Sequence, residues 1–326
     1  MMPRITGTGS ALPDRILSNA DLERMVETSD EWITTRTGIK ERRIADDHEY
    51  TSTLATEAAR RALQAAGISP HKLDLIILAT VTPDFPFPAT ACIVQQELGA
   101  VNAAAFDISA ACSGFVYGLS IAAAQIRSGA ARTVLVIGAE VLSRIVDWSD
   151  RNTCILFGDG AGAAVVEAGE GGGGILSTHL FTNGAHWQTL HQQGCGNRNP
   201  ASRQATIDER LFFIRMDGNE VFKHAVRGME EAACTALNAN GMTPDDVSLF
   251  IPHQANRRII DAIARRLGMG EDRVHINLDR YGNTSSASIP ITLDEANRQG
   301  RLSPGDILLL DAFGGGFTYG SALIRW

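Results

Sequence analysis

An α/β fold built from two similar halves is the class that this 326-residue sequence predicts, and three observations predict it. Residues 57–79 (EAARRALQAAGISPHKLDLIILA) align without gaps on residues 231–253 (EAACTALNANGMTPDDVSLFIPH), with ten of the 23 positions identical at an offset of 174. Each copy reads as an Ala-rich helix closed by Gly, a turn through Pro and a short apolar strand. Buried-type strands then recur at nearly the same spacing, TVLVIGAE (133–140) and DILLLDAF (306–313), and GAGAAVVE and YGSALIRW end the two halves alike. Strands alternating with helices imply mostly parallel sheets with covered faces. The expected division is 1–170 and 171–326, at the run GEGGGG (169–174), with the halves related by a pseudo-dyad.

Along the chain, the opening MMPRITGTGSALP lacks the uninterrupted apolar core of a signal peptide. In SDEWITTRTGIKERRI (29–44), Trp32 stands next to an acid, which a purely structural role explains poorly. The strand-like AAAFDIS (103–109) leads to Cys112 and then to a helical stripe of Phe115, Leu119, Ala122 and Ile126. No charge occurs from Ile108 to Ile126, yet the run is rich in Ala, Ser and Gly, which favours a buried helix over a membrane span. GDGAGAA (158–164) opens a strand and lacks the lysine of a phosphate-binding loop, so it reads as a turn. No GxSxG motif marks a Ser-based hydrolase.

Composition narrows the function classes. A net charge of −8 disfavours non-specific binding to nucleic acid or to anionic membranes. The five cysteines (92, 112, 154, 195, 234) form no C-x-x-C pair and no metal spacing, so no metal is expected. An odd number of cysteines without an export signal points to reduced thiols and a cytoplasmic location.

The repeat also locates a site. Cys112 corresponds to Ser286, inside RYGNTSSASIP, so the turns bearing Cys112 and Asn283 occupy equivalent places and the pseudo-dyad brings them together. His253 closes the repeated strand of the second half, where open α/β sheets hold ligands. Each residue has two readings. Cys112 is either a small buried hydrophobe or a nucleophile whose thiolate is favoured by a helix N-terminus. His253 is either a satisfied structural histidine or a strand-end ligand group, and Asn283 is either a helix cap or a hydrogen-bond donor to substrate. The glycines of AFGGGFTYG (312–320) either make a tight turn or let backbone N–H groups approach an oxyanion. Taken together, Cys supplies a nucleophile for acyl transfer from a thioester, while His and Asn stabilise an enolate on a second carbonyl.

The motifs DISAACSGFVYGL, GDGAGAAVV, PHQANRRI, GNTSSASIP and AFGGGFTYGSALIRW resemble those of the β-ketoacyl-acyl-carrier-protein synthase III family, and the resemblance covers essentially the whole chain. It implies a thiolase-like five-layered α/β/α/β/α fold, a homodimer and a Cys112-His253-Asn283 triad. By the same resemblance, Gly315 and the Cys112 N–H form the oxyanion hole. Trp32 and Arg151 stack on the adenine of coenzyme A with Arg36 near its phosphates, and Asn219 and Phe222 line the pantetheine channel. Phe87 caps the acyl pocket across the dimer interface. Coenzyme A enters as part of a substrate, and no cofactor is expected. An acidic acyl-carrier protein is the expected partner, docking on Lys223, Arg258, Arg265 and Arg266; a solvated basic face is the alternative reading of that cluster.

The implied reaction is decarboxylative condensation of a primer acyl-CoA, expected to be acetyl-CoA, with malonyl-carrier protein to start fatty-acid synthesis. The alternative is a related starter enzyme of polyketide or quinolone formation with a different primer. A thiolase fits less well because no cysteine follows Cys234, an elongating synthase because position 283 is Asn, and a silent acyl-CoA-binding relative because all three polar groups are present. Tyr319 stands where the family often has Trp, Arg257 replaces a commonly aliphatic residue, and the loop 191–210 reads as longer than usual.

Overall fold

The computed structural model describes residues 1–326, arranged as two sheets with helices outside and between them. The first sheet contains β1 (Met2–Ala11), β2 (Leu75–Ala79), β3 (Ala104–Ile108), β4 (Thr133–Glu140) and β5 (Gly160–Gly169), in the order β1-β5-β4-β2-β3. The second contains β6 (Gly174–Thr182), β7 (Leu249–Pro252), β8 (Ile307–Gly314) and β9 (Thr318–Arg325), in the order β7-β8-β9-β6. Reading inward from each edge, the sheets superimpose strand for strand: β1 matches β6, β5 matches β9, β4 matches β8 and β2 matches β7. The counterpart of β3 shrinks to a single parallel bridge between Phe250 and Val274.

The sheets are mixed, not mostly parallel. β2 pairs in parallel with β3 and β4, and β7 with β8, while the pairings β1–β5, β4–β5, β8–β9 and β9–β6 are antiparallel. For β8 and β9 the reason is connection length. A parallel crossover needs about a dozen residues or more, whereas β8 ends at Gly314 and β9 begins at Thr318, close enough only for a hairpin.

Side-chain alternation along the strands builds the layers. Ile76, Leu78, Leu135 and Ile137 face outward onto α2 (Thr51–Ala66), whose Ala55, Ala58, Ala59 and Ala62 allow close approach. Their neighbours Leu75, Ile77, Val134 and Val136 face inward. There they meet α4 (Gly114–Ser128) and α7 (Ser288–Arg298), and on the far side Leu249, Ile251, Leu308 and Leu310 of the second sheet. Leu309 and Phe313 face the outer layer, which includes α5 (Gly218–Ala239) and α6 (Arg257–Arg266). α3 (Thr90–Leu98) joins α2 in the outer layer through Ala91 and Val94, and α1 (Asp30–Thr37) joins the outer layer of the second sheet through Ile33. The result is α/β/α/β/α. The two central helices begin at equivalent turns, Ala111–Ser113 and Ser285–Ala287. A Cβ at Gly138 would lie 2.2 Å from the Ser286 carbonyl oxygen, so only glycine lets β4 and the second turn pack this tightly. No helix is long and apolar enough to cross a membrane.

Candidate active site

Cys112 lies on the short turn that opens α4, with its side chain almost wholly buried. Two features hold the turn. Ala111 takes a positive φ of 46°, a strained conformation for a residue with a Cβ. The second sheet clamps it from the other side: the Thr318 hydroxyl donates to the Ala110 carbonyl (2.8 Å) and the Ser113 hydroxyl donates to the Thr318 carbonyl (2.9 Å). A Cβ at Gly314 would sit 2.6 Å from the Cys112 amide nitrogen, so a glycine is required where β8 passes the nucleophile turn.

Burial, the largest cause, together with nearby Glu140 pushes Cys112 up to about 12, against a lowering hydrogen bond from Ser285. With its proton affinity raised by burial, the resting group is a thiol.

His253 extends the chain just beyond β7, its backbone N–H donating to the Asp311 carbonyl (2.8 Å). Its ring is buried, and Nδ1 lies 2.6 Å from Ser288 Oγ at the start of α7. Burial lowers its pKa from the model-compound value of 6.5 to about 3, so the imidazole is neutral at physiological pH. Asn283 sits where the second half approaches the first: its N–H donates to Leu156 O (2.8 Å) and its carbonyl accepts from Gly158 N–H (3.0 Å). Its side-chain Oδ1 accepts from Ser285 N–H (2.9 Å), the local turn expected of a capping Asn. With Oδ1 engaged, the amide Nδ2 remains as the free donor. The capping and ligand-donor readings are thus compatible, because one end of the amide makes the turn and frees the other.

These three residues line one cavity of about 650 Å³. Trp32, Arg36, Asn219, Phe222 and Arg258 line it as well. The Arg36 and Arg151 guanidinium groups lie 4.7 and 4.8 Å from the Trp32 ring centroid, although Arg151 is not itself in the lining. Gly314 borders the cavity and Gly315 does not. Phe87 is also outside it, 85% exposed. Lys223, Arg265 and Arg266 are exposed and away from the lining; Lys223 is within 3.8 Å of Glu220, and Arg266 is paired with Glu230. Arg258, 5.7 Å from the Phe222 ring, and Arg265 have no carboxylate within ion-pair distance.

The departures noted in the sequence fall around this cavity. Leu190 and Met216, at the base of the 191–210 loop, form part of the wall. Tyr319 stands behind Phe313 and donates to Glu231 (3.2 Å), outside the cavity itself. Arg257 turns away to Asp261 (2.6 Å) and Glu271 (3.0 Å).

Sequence reasoning missed a buried carboxylate. Glu140, at the end of β4, accepts from the hydroxyls of Thr80 (3.1 Å), Thr82 (2.6 Å) and Ser286 (2.9 Å) and from Val81 N–H (3.0 Å). It ties the end of β2 to the turn that follows Asn283. An acid closing the otherwise apolar strand TVLVIGAE was the available signal.

Two duplicated halves, each bringing a strand-to-helix turn to a shared cavity, follow the design of the thiolase-like condensing enzymes, and fold and site together assign the chain to that class. Residues 106–184 match the family model for 3-oxoacyl-[acyl-carrier-protein (ACP)] synthase III, and residues 237–326 match the model for its C terminal. The chain is 58% identical to the β-ketoacyl-[acyl-carrier-protein] synthase III of Caldanaerobacter subterraneus subsp. tengcongensis, over 99% of this chain and 97% of that one. Among solved structures, the 3-oxoacyl-[acyl-carrier-protein] synthase III of Aquifex aeolicus is 53% identical, with a TM-score of 0.93 over 99% of this chain and 100% of that one. The priming β-ketosynthase of the R1128 polyketide pathway is 39% identical, with a TM-score of 0.92 over 99% and 96% of the respective chains. The chain belongs to the β-ketoacyl-acyl-carrier-protein synthase III family. It is an acyltransferase that carries out the condensation initiating fatty-acid synthesis.

Proposed function

We propose that Cys112 accepts the acyl group of acetyl-CoA and that His253 and Asn283 stabilise the enolate formed from malonyl-acyl-carrier protein. The observation that carries this reading is the convergence of the three side chains on one cavity that Trp32 and Arg36 also line. In the first step, Cys112 Sγ attacks the thioester carbonyl and the carbon–sulfur bond to coenzyme A breaks. The thiol proton leaves with coenzyme A, so the transfer is proton-neutral. The Cys112 N–H and Gly315 N–H hold the developing oxyanion, and Gly314, pressed against the Cys112 amide, keeps β8 close to the nucleophile turn for that role. In the second step, malonate loses carbon dioxide and its electron pair enters the enolate, whose oxygen receives hydrogen bonds from His253 and Asn283. The enolate carbon attacks the acyl-cysteine, and the expelled sulfur takes up one proton. The high proton affinity of the buried thiol favours that last event.

Adenine stacks with Trp32 and Arg151, the phosphates meet Arg36, and pantetheine passes Asn219 and Phe222. The five unpaired cysteines suit a cytoplasmic enzyme. Halves 1–170 and 171–326 divide the work, the first holding the acyl group and the second forming the enolate. The second copy of the chain would supply Phe87: β3 is an unpaired edge strand bearing exposed Phe106, and Phe85 and Phe87 precede the helix start that Asp107 of β3 caps through Thr90 and Ala91 N–H. The 39% identity to a priming ketosynthase supports a second reading in which another acyl-CoA is the primer, and the masses of acyl-enzymes formed from a panel of acyl-CoAs decide between them.

The half-reactions test the division of labour. Cys112→Ala should abolish condensation yet retain decarboxylation of malonyl-carrier protein. His253→Ala or Asn283→Ala should still acylate from acetyl-CoA, while decarboxylation falls about a hundred- to a thousandfold. A folded Cys112→Ala protein that decarboxylates as poorly as His253→Ala would refute the assignment.

A further inference from the structure

On the reading of His253 as a ligand to the enolate oxygen, the neutral ring must present a donor to that oxygen and not an acceptor. Histidine has two neutral tautomers, and only the form protonated at Nε2 can donate from that atom. In this site Nδ1 faces Ser288 Oγ at 2.6 Å, while Nε2 has no protein partner and the ring borders the cavity.

Ser288 Oγ has two neighbours within hydrogen-bond distance, His253 Nδ1 and the backbone nitrogen of Gln254 at 3.3 Å. The Gln254 N–H can only donate, so it occupies a lone pair of the hydroxyl oxygen. The hydroxyl proton then has one acceptor within reach, Nδ1. The reverse arrangement would direct two N–H donors at one oxygen and leave the O–H of a buried serine without a partner, a costly state. We infer that Ser288 is a positioning residue that donates its hydroxyl to His253 Nδ1 and thereby fixes the proton on Nε2, aimed at the substrate oxygen.

The surroundings hold this polarity. Thr292 donates to the Ser288 carbonyl (2.6 Å), keeping the first turn of α7 in place. The Gln254 side chain donates to Pro252 O (2.7 Å) and accepts from Asn277 N–H (3.1 Å), so the turn carrying the Gln254 N–H cannot swing away without breaking both bonds. Because burial keeps the ring neutral, protonation of both nitrogens does not bypass the choice of tautomer at physiological pH.

Full-length protein labelled with ¹⁵N-histidine provides a direct test by long-range ¹H–¹⁵N correlation, with the His253 signals assigned by their loss in His253→Asn. At neutral pH the free enzyme should show a protonated Nε2 and an unprotonated Nδ1. Ser288→Ala should move both nitrogens toward values averaged between tautomers. It should also lower decarboxylation by about ten- to a hundredfold, less than or comparable to deleting the donor itself. The loss should fall on kcat, with KM for malonyl-carrier protein and acylation by acyl-CoA little changed, and Ser288→Thr, which restores a hydroxyl, should recover both tautomer and rate. A protonated Nδ1 in the wild-type enzyme overturns the inference, as does Ser288→Ala with an unchanged tautomer and rate. Should Ser288→Ala fail to fold, the wild-type spectrum alone decides. If His253→Ala decarboxylates normally, the role given to His253 falls, and the tautomer assignment still stands or falls by the spectrum.

Discussion

At the residue scale, burial governs both reactive groups and moves them in opposite directions. It keeps a proton on Cys112 and keeps one off His253. Alkylation of resting Cys112 by iodoacetamide should therefore keep climbing with pH through 9, without the plateau near neutrality that a helix-stabilised thiolate would show. The histidine leaves a signature on the acidic side. Between the ordinary value of 6.5 and the folded value of about 3, the unfolded chain binds a proton that the folded chain does not. His253 thus lowers stability as pH falls through that window and has no such effect above it. Decarboxylation, by contrast, should show no ionisation near 6.5 while the protein stays folded. A bell-shaped or sigmoidal profile centred there, following the NMR titration of His253, would contradict the buried neutral ring.

At the element scale, α6 shows how one helix serves two environments. Ile259, Ile260 and Ile263 face the core, while Arg258 and Arg265 face solvent without ion partners. Arg266 is engaged with Glu230, so the available positive charge lies on the first two arginines. Reversing Arg258 and Arg265 to Glu should raise KM for malonyl-carrier protein by about ten- to a hundredfold at low ionic strength, and added salt should narrow the gap to wild type. Acylation by free acetyl-CoA, which on the proposed reading is gripped by Trp32 and Arg36, should change far less. Equal losses with both substrates would show that these arginines shape a shared channel. The nucleophile turn illustrates the same dependence between elements: the α4 start is held by the β8–β9 hairpin, so neither half forms the site alone.

For the whole molecule, the open edge at β3 is the feature that a single chain leaves unfinished. Exposed Phe85, Phe87, Val101 and Phe106 are unusual near an unpaired strand of a stable monomer. Phe106→Asp should convert a dimer into monomers in sedimentation equilibrium, with the far-ultraviolet circular dichroism unchanged. If Phe87 completes the acyl pocket of the other copy, the same variant should also alter the range of acyl-CoAs that acylate Cys112. A monomeric wild-type protein would remove the dimer and Phe87's role together.

Much of this was legible in the sequence because duplication repeats local signals. The Ala-rich helix, the Gly-Pro turn and the apolar strand recur at an offset of 174, which predicted the paired halves and aligned Cys112 with the turn after Asn283. The motifs around Cys112, His253 and Asn283 were also local, and the resemblance they carry pointed to the family. Tertiary structure decided what depends on neighbours far apart in the chain. β9 runs antiparallel to β8 because a three-residue link between Gly314 and Thr318 permits only a hairpin. The thiol is neutral because the assembled interior buries it, with Glu140 from a distant part of the chain nearby. The orientation of His253 depends on a hydroxyl 35 residues away. Periodicity and spacing record what a segment buries, whereas ionisation and proton position are set by the electrostatics of the assembled interior, which only folding creates.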